Sequence, residues 1–152
     1  MDIDDTDRAL VDALMADGRA SIQALASEAG VAVETADRRI EALEDAGVIE
    51  GYTAQVDYDE LGYDVTAVVR LRVGESTETV GETLGDYPWV RSAYEVTGED
   101  DCILVGTVRD TDDMHGKVAE LLTDPTVRSV TVDVVLDTVR AGEPIRLGDS
   151  AD

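Results

Sequence analysis

The stretch Ser21 to Leu43, SIQALASEAGVAVETADRRIEAL, decides how the first third of the chain folds. Ser21 is a helix N-cap candidate, Ile22, Leu25, Ala26 and Ala29 repeat at helical spacing, and Gly30 can close the segment in a left-handed turn. A second helix follows over Val33–Ala46, with Val33, Ala36, Ile40 and Leu43 as its core positions and Gly47 after it. Upstream, Asp4 or Asp5 can cap a helix reaching Ala16, with Ile3, Leu10 and Leu14 on one face and Gly18 as its stop. Two short helices around a glycine turn, preceded by a third, form the unit that lays a recognition helix in the major groove.

Charge geometry refines that reading. Advancing about 100° per residue, Arg38 points nearly opposite the core stripe, with Thr35, Arg39 and Ala42 extending the outer face to one side. Glu34, Asp37, Glu41 and Glu44 fall mainly on the other side, leaving a carboxylate-free flank. Arg38 and Arg39 there suit guanine edges or phosphates, Thr35 a base or phosphate, and the backbone at Ser21 a phosphate at a helix N-terminus. Paired arginines are equally well read as a solvated face, with Glu34 and Arg38 forming an i,i+4 pair.

From Gly51 the period changes. Val65–Val73, Arg91–Thr97, Cys102–Val108 and Val127–Val139 are rich in β-branched residues and read as strands. Ser76–Asp86, with Val80 and Leu84, and Thr111–Leu122, with Met114, Val118, Leu121 and Leu122, read as amphipathic helices. The order is the split βαββαβ pattern of ferredoxin-like domains. The fold class expected is α+β, an N-terminal helix-turn-helix followed by this domain. Tyr52–Leu61 joins the two, partly extended, since Val56 and Tyr58 alternate with polar residues.

The chain has 152 residues, 12 Lys plus Arg against 35 Asp plus Glu, and a formal charge of −23. With 43% hydrophobic residues it can pack a core despite 31% charged residues, above the roughly 25% of ordinary chains. Cys102 is the only cysteine and His115 the only histidine, which excludes a disulfide framework and Cys-rich zinc sites. Cys102 reads as a buried small hydrophobe, His115 as a surface residue and Trp89 as packing. No stretch approaches the roughly 18 apolar residues of a membrane span, and the acidic start Met1–Asp5 is unlike a secretory signal, so a cytoplasmic protein is expected. The overall charge argues against nucleic acid. However, Lys117 is the only lysine and the acids are dispersed, a composition that suits an extreme halophile, where the Debye length is about 3 Å at 1 M salt.

Asp5-Thr-Asp-Arg8, Asp17-Gly-Arg19, Leu25-Ala26 with Gly30, Arg38-Arg39-Ile40 with Leu43-Glu44, Gly47-Val-Ile49 and Gly51-Tyr-Thr-Ala54 resemble the DNA-binding domain of Lrp/AsnC-type transcription regulators. Leu61-Gly62, Tyr94-Glu-Val-Thr-Gly98, Asp101 and the final strand to Thr138-Val139 resemble that family's ligand-sensing domain. Ala32 stands where a serine cap usually begins the family's recognition helix. The resemblance implies a winged helix-turn-helix as the DNA-binding domain over residues 1–51, a linker with a strand over 52–64, an effector-binding and oligomerisation domain over 65–140, and a tail over 141–152. It adds Tyr52 to the DNA-facing set and implies an effector, commonly an amino acid, bound between dimers at Thr97, Gly98, Glu99, Asp100, Asp101, Thr111, Asp133, Val134 and Val135. N–H groups around Gly98 and at the start of the helix near Thr111 suit a carboxylate, and Asp101 suits an ammonium group. Without the resemblance, a solvated Glu-Asp-Asp hairpin explains the same turn.

The expected partners are therefore double-stranded operator DNA, a small effector and further copies of the chain as a homodimer or octamer, with no membrane, no metal and no cofactor. No enzyme activity is expected. The alternatives are a sirohaem decarboxylase-like enzyme on the same fold, disfavoured by a single histidine, and a regulator-derived subunit without its own operator.

Overall fold

The computed structural model describes residues 2–74, 84, 86–145 and 147. Two compact units emerge: the chain up to Gln55 together with the segment from Arg140 onward, and Val56–Val139.

In the first unit, α1 spans Asp5–Ala16, α2 Ile22–Ala29 and α3 Val33–Asp45. Asp4 caps α1 reciprocally: its side chain accepts from the Asp7 backbone N–H at 3.0 Å while Asp7 accepts from the Asp4 N–H at 3.1 Å. Gly18 is not the stop that the sequence suggests. Asp17 ends the helix in an extended conformation and its carboxylate accepts from the Arg19 N–H at 2.9 Å, a local turn that competes with further helix. Gly30 does act as expected, at φ 66° in the left-handed region after α2. Ala32 offers α3 no side-chain cap.

Leu10, Leu25, Ala26 and Ala36 form the buried core of this unit, with Leu14, Ile22 and Ile40 packed around them. Val33, expected in the core stripe, is 37% exposed. After α3, residues 51–57 are exposed and form no ladder, so neither the expected wing nor the linking strand appears as β-structure. A strand needs a partner for its N–H and C=O groups, and a single chain gives this segment none.

In the second unit, a single 3₁₀ turn at Asp59–Leu61 precedes β1 (Val65–Val73), β2 (Val90–Glu95), β3 (Cys102–Val108), α4 (Thr111–Thr123) and β4 (Val127–Val134). The sheet order is β2-β3-β1-β4, with every neighbouring pair antiparallel. The expected helix over 76–86 lies largely outside the described residues, although Leu84 is buried in the core. β4 stops at Val134, short of the expected Val139. Its last ladder pair is Val134 with Ala67, the Val135 N–H adds one bond to the Thr66 carbonyl, and β1 has only Val65 before that point. Leu136 and Val139 are consequently exposed.

The alternation of β1 puts Ala67, Val69, Leu71 and Val73 in the core with Leu104, Met114 and Leu121, and leaves Arg70 and Arg72 on the opposite face. Leu122, expected on the inner face of α4, is 55% exposed. Trp89 packs as expected, lying over Gly106, where an added Cβ would sit 2.2 Å from the indole Cε3. Cys102 is buried and His115 is exposed. No helix of the described residues is long and apolar enough to cross a membrane.

Candidate nucleic-acid interface and effector turn

On α3 the two arginines part company. Arg38 is exposed and has no ion-pair partner among the described residues; the alternative pairing with Glu34 does not form. Thr35 is half-buried beside it. Arg39 departs from the sequence expectation, because its Nη1 faces α1. It donates to Asp4 Oδ2 at 2.6 Å and to Asp7 Oδ1 and Oδ2 at 3.1 and 3.2 Å. The reason is spacing: Ala36, Arg39, Ile40 and Leu43 follow an i, i+3, i+4, i+7 series, so Arg39 borders the core stripe. Asp7 is fully buried, and without this guanidinium its charge would lack compensation. The hydrogen bond from the Asp7 backbone and then the one from Arg39 hold the Asp4 carboxyl below its ordinary value of 3.8, and the Arg39 pKa is raised in turn by Asp4 and Asp7.

Ser21 Oγ accepts from the Ala24 N–H at 3.2 Å and thus caps α2, as its sequence position implies. Tyr52 is 55% exposed and donates its hydroxyl to Glu44 Oε1 at 2.7 Å, a bond that raises the phenol pKa.

In the sheet unit, the turn after β2 is built on Gly98 at φ 131°, which a side chain rarely tolerates. Asp101 is occupied structurally: its Oδ2 accepts from the Val73 N–H at 2.9 Å and its N–H donates to the Leu71 carbonyl at 2.9 Å. One carboxylate oxygen is thus engaged in holding the turn to β1. Glu99 is almost fully exposed, 3.6 Å from Arg72.

The expected effector residues gather only in part: Asp100 and Asp133 both face Arg70, whereas Thr111 lies apart. Asp101 precedes β3 and Thr111 follows it, so the seven residues of that strand separate them by about 20 Å. Thr111 opens α4, as expected, and the residue before it is the cap. Asp110 fills that position, accepting from the Asp113 N–H at 2.8 Å, and Asp112 and Asp113 make the first turn acidic. Val134 is exposed and the Val135 N–H is spent on the sheet.

What does connect the turn to β4 is Arg70, which the sequence reading missed. Its Nη2 lies 2.8 Å from Asp133 and its Nε 3.9 Å from Asp100, while Arg72 Nε lies 3.7 Å from Asp100. The signal was available: two arginines two apart in an otherwise apolar strand must share its solvent face. Among the described residues, no group of His, Cys, Asp and Glu is arranged to hold a metal ion.

A three-helix unit with a reading helix, joined to a helix-backed antiparallel sheet with a glycine turn, defines a two-part DNA-binding regulator. Residues 3–44 match the AsnC-type helix-turn-helix domain, and residues 66–145 match the Lrp/AsnC ligand binding domain. The chain belongs to the Lrp/AsnC family of transcription regulators. It is 35% identical over 141 residues to an uncharacterized HTH-type transcriptional regulator of Pyrococcus furiosus, covering 92% of this chain and 95% of that one. The structure of E. coli AsnC superposes with a TM-score of 0.84 at 28% identity, covering 95% of this chain and 100% of that one. The feast or famine regulatory protein of Mycobacterium tuberculosis, complexed with L-methionine, gives a TM-score of 0.89 at 28% identity, covering 95% and 99%.

Proposed function

We propose that the protein reads operator DNA with α3 and that an amino acid or related metabolite controls it through the turn at Gly98. The observation that carries the first half is the exposed Arg38, without an ion-pair partner among the described residues, on a helix flank that has no carboxylate. Ser21 and Thr35 in the domain over residues 1–51, and Tyr52 at the start of the linker, complete the DNA-facing set, with Arg39 assisting from behind. The L-methionine complex of the M. tuberculosis relative supports an amino-acid effector.

The effector set Thr97, Gly98, Glu99, Asp100, Asp101, Thr111, Asp133, Val134 and Val135 is spread over one sheet unit, so a closed site requires a second copy of the chain. We read residues 65–140 as the domain that dimerises and builds octamers, 52–64 as the linker whose strand forms only against another copy, and 141–152 as a tail. An effector carboxylate finds its donors at Gly98, because Asp110, Asp112 and Asp113 make the start of α4 hostile to anions. The dispersed acidity and single lysine support work in the cytoplasm of an extreme halophile.

Selection of bound fragments from genomic DNA in molar KCl tests the DNA reading, and a thermal-shift screen of the amino acids tests the effector. Enrichment of one palindromic motif, displaced or tightened by one amino acid, is expected; no enrichment at any salt refutes the DNA reading.

A further inference from the structure

Apolar packing is non-directional, and the core of the first unit combines Leu10 and Leu25 with the small residues Ala26 and Ala36. Such contacts choose the face of α3 that is buried, whereas a directional contact can set its rotation more finely. A directional contact between α3 and α1 does so. Arg39, in the middle of α3, puts a single nitrogen against both Asp4, the cap of α1, and Asp7, in the first turn of the same helix. Asp7 is fully buried, so salt screens this pair far less than an exposed one. A buried carboxylate also tolerates few alternative placements of its partner.

We propose that Asp7 and Arg39 are a positioning pair that fixes the rotation of α3 about its own axis, and so aims Arg38 at the operator, while Arg39 itself reads no base. The inference rests on the reading of α3 as the DNA-contacting helix. The competing view is that the remaining N–H groups of Arg39 take a phosphate directly. The two views differ in what Asp7 does: a positioning pair needs it, whereas a phosphate-binding Arg39 would be freed by its loss.

The test uses the full chain and the operator fragment that the wild type enriches from genomic DNA, with an unrelated duplex of equal length as control. Asp7→Asn, Arg39→Gln and the double variant are compared over a range of KCl, with circular dichroism confirming helix content. We expect each single variant to lose about five- to hundredfold in operator affinity, the worth of one well-seated base contact. Binding to the control duplex should stay within about twofold, because phosphate attraction is unchanged. The double variant should be no weaker than the worse single variant, as for two halves of one device. Arg39→Lys, which keeps the charge between the two carboxylates, should recover part of the loss.

The proposal is overturned if Asp7→Asn binds the operator as well as the wild type does or better, if the two losses add, or if Arg39→Gln weakens both duplexes alike with a salt slope smaller by about one. Should Asp7→Asn not fold, Arg39→Lys and Arg39→Gln decide by the same specificity ratio. A wild type that enriches nothing removes the DNA reading and this inference with it, whereas a wild type that binds with unaffected variants removes this inference alone.

Discussion

Arg38 and Arg39 are adjacent in sequence and serve different ends, because one step of 100° around a helix separates solvent from the edge of a core. Arg38→Ala is expected to abolish operator binding while leaving the oligomer intact; a gel shift and size-exclusion chromatography check the two halves. Cys102 shows burial acting on chemistry. Removal from water, then Glu95 and Asp101, push its thiol pKa up. Because the thiolate is the reactive form, an aromatic disulfide reagent at neutral pH should leave Cys102 unmodified in the folded protein and react rapidly once it is unfolded. Gly106 is set by its neighbour: Gly106→Ala drives a methyl into the Trp89 ring and should cost at least about 1–3 kcal/mol in denaturant unfolding, since both the ring and the adjoining backbone are fixed in the sheet.

At the level of elements, the start of α1 is an electrostatic junction. Asp4 has a folded pKa held below 3.8 by the Asp7 backbone and by Arg39, so the carboxylate form is favoured by folding. A lowered pKa contributes stability that is full above the ordinary value and is lost as pH falls through the folded one. Asp4→Asn keeps the cap but removes the charge facing Arg39. Its melting temperature should lie below that of the wild type at pH 7, and the gap should close as pH drops below 3.8. A gap independent of pH would mean that the charge on Asp4 contributes nothing. In the sheet, Arg70 and Arg72 knit the Gly98 turn to β4 through Asp100 and Asp133. An effector response should therefore be altered by Asp133→Asn as well as by substitution at Gly98, as followed by ligand-induced thermal shift.

For the whole molecule, a charge of −23 first reads as an argument against DNA. Phosphate neutralisation ordinarily makes affinity fall with a log–log slope near −0.9 per contact, a gain already gone at molar salt. If α3 is the helix that meets DNA, its exposed Arg38 has carboxylates such as Glu34 and Glu41 on the same helix, and cations should be taken up when the complex forms. Operator affinity is therefore expected to be flat or to rise with KCl, as fluorescence anisotropy can measure; a steep loss would refute this.

Much of this was legible in the chain itself. Local signals act within a few residues, so the Asp4, Ser21 and Gly30 boundaries, the four strands and their order could be read from capping chemistry and periodicity. The ends that depended on partners could not. β4 stops at Val134 because β1 itself begins only two residues before the partner of Val134, and residues 51–57 stay unpaired because a ladder is a contact between segments. The same distinction governs the sites. Sequence alone determined which side chains were available: a carboxylate-free flank on α3, a glycine turn before β3 and two arginines on one face of β1. Only the tertiary structure decided that Arg39 turns inward to a buried Asp7, that Asp101 accepts from the Val73 N–H, and that a whole strand separates Thr111 from the Gly98 turn. Burial and long-range pairing depend on residues distant in the chain, and a periodicity carries no record of which distant residue will arrive.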